Sequence, residues 1–218
     1  MQLDPRTTDP VSVYKLLISS VVPRPIAWVS SVDAQGIRNL APFSYFMAIT
    51  DTPPTIAFSC SSREGAKEGV GESSSHGAPM FKDTLKNIEA TREFVVNIVD
   101  DACAEQMNLS SGDYPPDVDE FSVTKLTPLA GAVVRAPRVA EAPINMECRL
   151  VQVLPVGKKA NLVIGEIVQW HVRDDVYDPK TGRLDMHALK PVGRLCGNLY
   201  SHIHQIFEMK RPNPDYRG

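Results

Sequence analysis

The sequence predicts a mainly β protein, an antiparallel β-barrel with flanking helices. Three observations lead there. Apolar residues alternate with period two over several segments, helical spacing is confined to short stretches, and 18 prolines punctuate 218 residues. Strands and helices do not alternate in βαβ order, and G-x-G-x-x-G is absent. A doubly wound dinucleotide-binding fold is therefore disfavoured.

The elements follow in chain order. Asp9 caps a short helix with Pro10 at its first position and Val13, Leu16 and Leu17 at helical spacing. Residues 26–32 form a β-prone strand, which turns at the polar 33–36 segment and returns through Asn39, Ala41 and Pro42. Residues 55–61 place Ile56, Phe58 and Cys60 on one face and Ala57, Ser59 and Ser61 on the other. Residues 93–99 repeat the pattern with Phe94, Val96 and Ile98. Two long strands, 144–156 and 161–172, flank Gly157, Lys158 and Lys159 and pair as a hairpin. The second is expected to turn Leu162, Ile164, Val168, Trp170 and Val172 to one side. A helix follows Lys82, capped by Asp83 or Thr84, and another runs from Asp101 towards Gly112. The Gly- and Ser-rich stretch at about 62–78 is a long polar loop, either a surface insertion or a flap over a pocket.

Composition excludes several classes. A net charge of −3 with scattered Lys and Arg argues against a nucleic-acid or anionic-membrane surface. No apolar run reaches the length of a membrane span, and the first ten residues carry no signal-peptide core. Cys60, Cys103, Cys148 and Cys196 form no C-x-x-C pair, so a reducing cytoplasm fits better than a disulfide framework or zinc site. The chain reads as one domain over 1–218.

No hydrolase constellation or phosphate-binding P-loop is present, and no catalytic side chain is assigned. His202 and His204 share a strand face, yet no third ligand stands at useful spacing. They are assigned surface or interface roles, with no metal. A small polar set carries more information. Ser30 and Ser31 end a strand, Asn39 follows the turn, Ser44 follows Pro42 and Phe43, Ser59 and Ser61 share a face, and Lys82 precedes a helix. Hydroxyls, an amide and a cation at a helix N-terminus suit a phosphorylated cofactor. A small residue such as Ala41 lets a flat ring lie against the backbone. Taken singly, each of these residues also has a plain structural explanation.

The string RPIAWVSSVDAQGIRNLAPFSYF (24–46) resembles the signature of the flavin reductase-like family, whose fold is the FMN-binding split barrel. PPTIAFSCSS and KDTLKNIEATREFVVNIV continue the likeness, followed by VDEF, RVAEAPINMECRL, LVIGEIV and KPVGRLCGNLY. The similarity covers a core of about 19–200, leaving 201–218 as a C-terminal extension. It implies a homodimer binding FMN, or FAD, near the subunit interface. Flavin contacts are implied at Trp28, Ser30 and Ser31, at Asn39, Leu40, Ala41, Pro42, Phe43 and Ser44, and at Ser59, Cys60 and Ser61. Lys82 and Thr84 would hold the phosphate or ribityl chain. Trp28 is either a core residue or a cofactor contact. Arg24 either reaches the phosphate or anchors its strand through a surface ion pair. Arg194 either closes the pocket or serves the dimer. The 62–78 loop is longer than the family's usual link, which bears on how nicotinamide approaches.

The function implied is NAD(P)H:FMN reduction, with reduced flavin passing to a separate monooxygenase or redox partner. Two rival readings stay open. One is an FMN-holding electron carrier like the flavoredoxins; the other is a non-catalytic split-barrel protein for a different ligand.

Overall fold

The structure is a computed structural model that describes residues 1–61 and 82–210. The predicted loop at 62–78 and the end of the C-terminal extension lie outside the described residues. A seven-stranded antiparallel sheet organises the chain. Its strands are β1 (Ala27–Val32), β2 (Arg38–Phe43), β3 (Phe46–Asp51), β4 (Pro54–Ser61), β5 (Glu93–Ile98), β8 (Ile144–Val156) and β9 (Ala160–Val172). Three short pairs accompany it: β6 (Pro128–Leu129) with β7 (Arg138–Val139), β10 (Tyr177–Asp178) with β11 (Arg183–Leu184), and β12 (Val192–Arg194) with β13 (Tyr200–His202). The helices are α1 (Pro10–Ser20), α2 (Asp83–Thr91), α3 (Ala104–Leu109), α4 (Glu120–Thr124) and α5 (Met186–Leu189).

The sheet runs β2-β1-β5-β8-β9-β4-β3. Its two edge strands are consecutive in sequence and joined through Ser44 and Tyr45, so the sheet curls until its edges approach. Phe43 of β2 lies 5.0 Å from Phe58 of β4, centroid to centroid, and Phe58 lies 5.7 Å from Phe94 of β5. The Ser59 amide donates to the Tyr45 carbonyl at 2.8 Å. These contacts fill the barrel interior with Val29, Ile56, Phe58, Phe94 and Val163.

β1 and β2 are buried on both faces. Ala27, Val29 and Phe43 face the barrel interior, whereas Trp28 and Leu40 pack outward on Met107 of α3 and Phe121 of α4. Pro42 sits in β2 opposite Trp28. β2 is an edge strand, where a missing N–H costs no ladder bond. The β1–β2 turn is fixed by Asp33, whose Oδ1 accepts from the Gln35 and Ile37 amides at 2.9 and 2.8 Å, and by Gly36 at φ +92°.

Three sequence expectations need correction. In β9 the buried residues are Val163, Gly165 and Ile167; Leu162, Ile164 and Val168 are half-buried and Trp170 is exposed. Register shifts in the β8–β9 ladder break the simple alternation, and Gly165 supplies no apolar side chain for a pattern to register. The N-cap of α2 is Lys82, with no side-chain cap bond, so neither Asp83 nor Thr84 caps it. The helix expected from Asp101 divides into a 3-10 turn, Asp101–Cys103, and α3, with Asp100 as the cap.

Candidate functional site

The β1–β2 hairpin brings Asn39, Ala41 and Pro42 against the start of α2, and two adjoining cavities open there. A smaller one of about 120 Å³ is lined by Asn39, Ala41, Pro42, Lys82, Thr84, Ser110, Ser111, Tyr114 and Glu120, among others. A larger one of about 480 Å³ shares Pro42, Lys82 and Ser111 with it. Its volume falls within the roughly 300–1,000 Å³ of small-molecule sites. Arg24, Lys82 and Arg194 line it together with Tyr14, Tyr45 and Tyr200. No carboxylate is among the described residues lining it, so the larger cavity combines positive charge with aromatic surface.

Lys82 stands between the two cavities. Its Nζ lies 5.5 Å from the Phe43 ring centroid. Behind it α2 begins without a side-chain cap, so its first amides and the positive end of its dipole face the cavity wall. The Asn39 Nδ2 donates to Thr84 Oγ1 at 2.9 Å, both residues being buried. The Asn87 Nδ2 donates to Ser31 Oγ at 3.2 Å and fixes α2 on β1.

Arg24 is buried and makes no ion pair among the described residues. Its Nη1 donates to the Ile18 and Val21 carbonyls at 2.6 and 2.9 Å, closing the C-terminus of α1. Its Nη2 donates to the Leu195 carbonyl at 2.7 Å, and Nε reaches Ser44 Oγ at 3.4 Å. The guanidinium thus positions α1 and the 194–197 loop around the larger cavity. Arg194 donates to the Gly197 carbonyl and stacks 4.3 Å from the Tyr200 ring centroid.

Other predicted residues turn their side chains elsewhere. Trp28 is fully buried and donates from Nε1 to Ser110 Oγ at 2.9 Å, so it touches the site only through a residue that lines the smaller cavity. Ser30 donates to the Pro137 carbonyl and accepts from Asn97 Nδ2 at 3.1 Å. Leu40, Phe43 and Cys60 pack in the two cores. Burial pushes the Cys60 thiol up to about 12, which removes it as a nucleophile at neutral pH. Ser59 is half-buried, and Ser61 is exposed at the end of β4.

Glu120, Ser110, Ser111, Tyr14 and Tyr200 were not singled out from the sequence. The buried Glu120 accepts from the Leu40 amide at 3.0 Å. Burial raises its carboxyl to about 6, against the lowering effect of that hydrogen bond. Only its place in VDEF, at the first position of α4 behind the Asp119 cap, hinted at it. His202 and His204 do gain a third neighbour, Asp101, from a segment about a hundred residues away.

A family model for the flavin reductase like domain matches residues 19–188. The chain belongs to the flavin reductase-like family. Nitrilotriacetate monooxygenase component B from Bacillus cereus superposes with a TM-score of 0.86 at 34% identity, over 96% of this chain and 98% of the other. The Pseudomonas fluorescens 2-nitrobenzoate 2-nitroreductase NbaA superposes at 0.83 with 29% identity, over 97% and 96%. A Shewanella frigidimarina chain described by its split barrel domain superposes at 0.79 with 22% identity, over 97% and 100%. The fold is therefore the split barrel, and the chain is a flavin-related oxidoreductase. No helix among the described residues is long and apolar enough to cross a membrane.

Proposed function

We propose that this chain is an NAD(P)H:flavin reductase that binds FMN in the joined cavities, as a homodimer. The observation that carries the reading is the larger cavity, with three cations, no lining carboxylate and three tyrosines, beside an uncapped helix N-terminus. These features fit a flat ring with an anionic tail. Lys82, Thr84 and the first amides of α2 would hold the phosphate. Ala41 and Pro42 offer a wall of low side-chain bulk along β2, and Tyr45 and Tyr200 supply aromatic faces. Bound flavin would supply the redox chemistry, accepting a hydride from the nicotinamide. The protein's own part is binding, orientation and charge. Lys82 and the α2 dipole favour negative charge in the cavity. Arg24 holds α1 and the 194–197 loop in place through donors to three carbonyls and the Ser44 hydroxyl.

The B. cereus relative is named as one component of a monooxygenase, which supports delivery of reduced flavin to a separate oxygenase. The test is direct. The purified chain is titrated with FMN and FAD under flavin fluorescence, then mixed anaerobically with NADH or NADPH. Saturable FMN binding and bleaching of the flavin absorbance by one nicotinamide are expected. No flavin binding, with either nicotinamide present, overturns the reading. Binding without reduction would restrict the chain to electron carriage.

A further inference from the structure

Asp101, His202 and His204 bring three ligand atoms within 4.8 Å of one another. His202 Nδ1 lies 2.7 Å from Asp101 Oδ1, and His204 Nε2 lies 3.5 Å from Asp101 Oδ2. The two imidazoles face each other with ring centroids 5.2 Å apart. Both histidine side chains are more than half exposed, so the cluster opens to solvent.

The backbone registers these groups on one short segment. The Asp101 amide donates to the Lys190 carbonyl at 3.2 Å, and Asp100 bridges Pro191. Val192, the next residue along, pairs with His202 across the β12–β13 ladder. The residues 190–192 therefore carry Asp101 from one side and His202 from the other. His204 follows two residues later, while Ile203 between them lines an apolar cavity with Pro191 and Val192. Ile203 lines that wall while remaining partly exposed, and both histidines approach the carboxylate.

We propose that Asp101, His202 and His204 form a divalent transition-metal site of the zinc class. Two imidazoles and one carboxylate are a standard nitrogen–oxygen donor set for such ions. Around a tetrahedral ion with bonds of about 2.0–2.1 Å, ligand atoms stand about 3.3 Å apart. The separations here, 2.7 Å to Asp101 Oδ1 and 3.5 Å to Asp101 Oδ2, bracket that value. Coordination positions beyond these three remain open to water. The bound ion clips β13 and the residues after it to the segment following β5. Neither the flavin cavities nor the hydride chemistry enters the proposal.

The test uses the full, tag-free chain, stripped with chelator and titrated with Zn²⁺ by calorimetry, and with Co²⁺ by visible absorption. One ion per chain is expected, with a Co²⁺ spectrum of nitrogen–oxygen ligation and a melting temperature that rises with added Zn²⁺. Asp101→Asn, His202→Ala and His204→Ala should each weaken Zn²⁺ at least tenfold, and the triple variant should lose the Zn²⁺-dependent rise in melting temperature. Equal affinity and stoichiometry in the triple variant would overturn the site. So would single variants that lower the melting temperature in chelator while binding Zn²⁺ as the parent does, because the cluster would then be an ion pair only. FMN titration of the triple variant separates this outcome from any failure of the flavin reading.

Discussion

Lys82 illustrates how one side chain can serve binding more than folding. It is half-buried, and its ammonium rests near the Phe43 ring without a carboxylate in ion-pair range among the described residues. Lys82→Ala should therefore leave the melting temperature nearly unchanged. A charge-assisted bond to phosphate is worth roughly 1.5–3 kcal/mol, so FMN affinity should fall about ten- to hundredfold, read by flavin fluorescence titration. Unchanged FMN affinity would remove Lys82 from the site. Glu120 behaves in the opposite sense. A carboxyl whose folded value is raised to about 6 from an ordinary 4.5 costs stability wherever the unfolded chain would be ionised. The cost is nil below about pH 4, grows through pH 6 and is constant above, at about 2 kcal/mol from about 1.36 kcal/mol per unit. Glu120→Gln should therefore melt higher than the parent at pH 8 and alongside it at pH 4. Parallel curves at both pH values would show that burial does not strain this carboxyl. Asn39, Thr84 and Lys82 were legible in the sequence because polar residues beside turns and helix starts stand out from an apolar pattern. Glu120 was not, because an acid in a helix's first turn is ordinary, and its burial depends on Leu40, 80 residues away.

At the scale of elements, period-two alternation identified β4 and β5, whose Ile56, Phe58, Cys60, Phe94 and Val96 share one core. It misassigned the face of β9. Gly165 leaves a gap in the pattern where a side chain would not fit. A Cβ there would stand 2.4 Å from the tip of the Phe94 ring, which is fully buried beside Phe58. Gly165→Ala should then cost about 1–3 kcal/mol by overpacking, and lower the melting temperature by about 2–4 °C per kcal/mol in a chain of this size. An unchanged melting curve would mean that Phe94 has room to move. Helix α2 was found in sequence but its cap was not, since Asp83 and Thr84 both look like caps. The structure instead places Lys82 at the N-cap, where its side chain makes no cap bond, at the mouth of the cavities. A local rule is set aside at the place where the proposed function requires an anion.

At the scale of the molecule, the closed interior contrasts with what the sheet leaves outside. Edge strand β3 exposes Met47 and Ile49 at 54% and 47%, and β8 exposes Val151, Leu154 and Val156 beyond the reach of its own core. The half-buried Leu162 and Ile164 of β9 continue this apolar surface, because Leu154 pairs with Leu162 and Ile164 faces Gln152 in the ladder. An apolar edge strand of this kind is a liability in a monomer and is ordinarily covered. A second copy is the cover that the family resemblance implies. The chain should sediment at twice its own mass at micromolar concentration. Ile49→Glu places a charge on the exposed edge while leaving the barrel interior untouched, so it should shift the chain to monomer with its circular dichroism preserved. If the flavin lies near the subunit boundary, the same variant should also release FMN more readily. A parent chain that sediments as a monomer would show that the edge is tolerated bare and that the cavities are complete within one subunit.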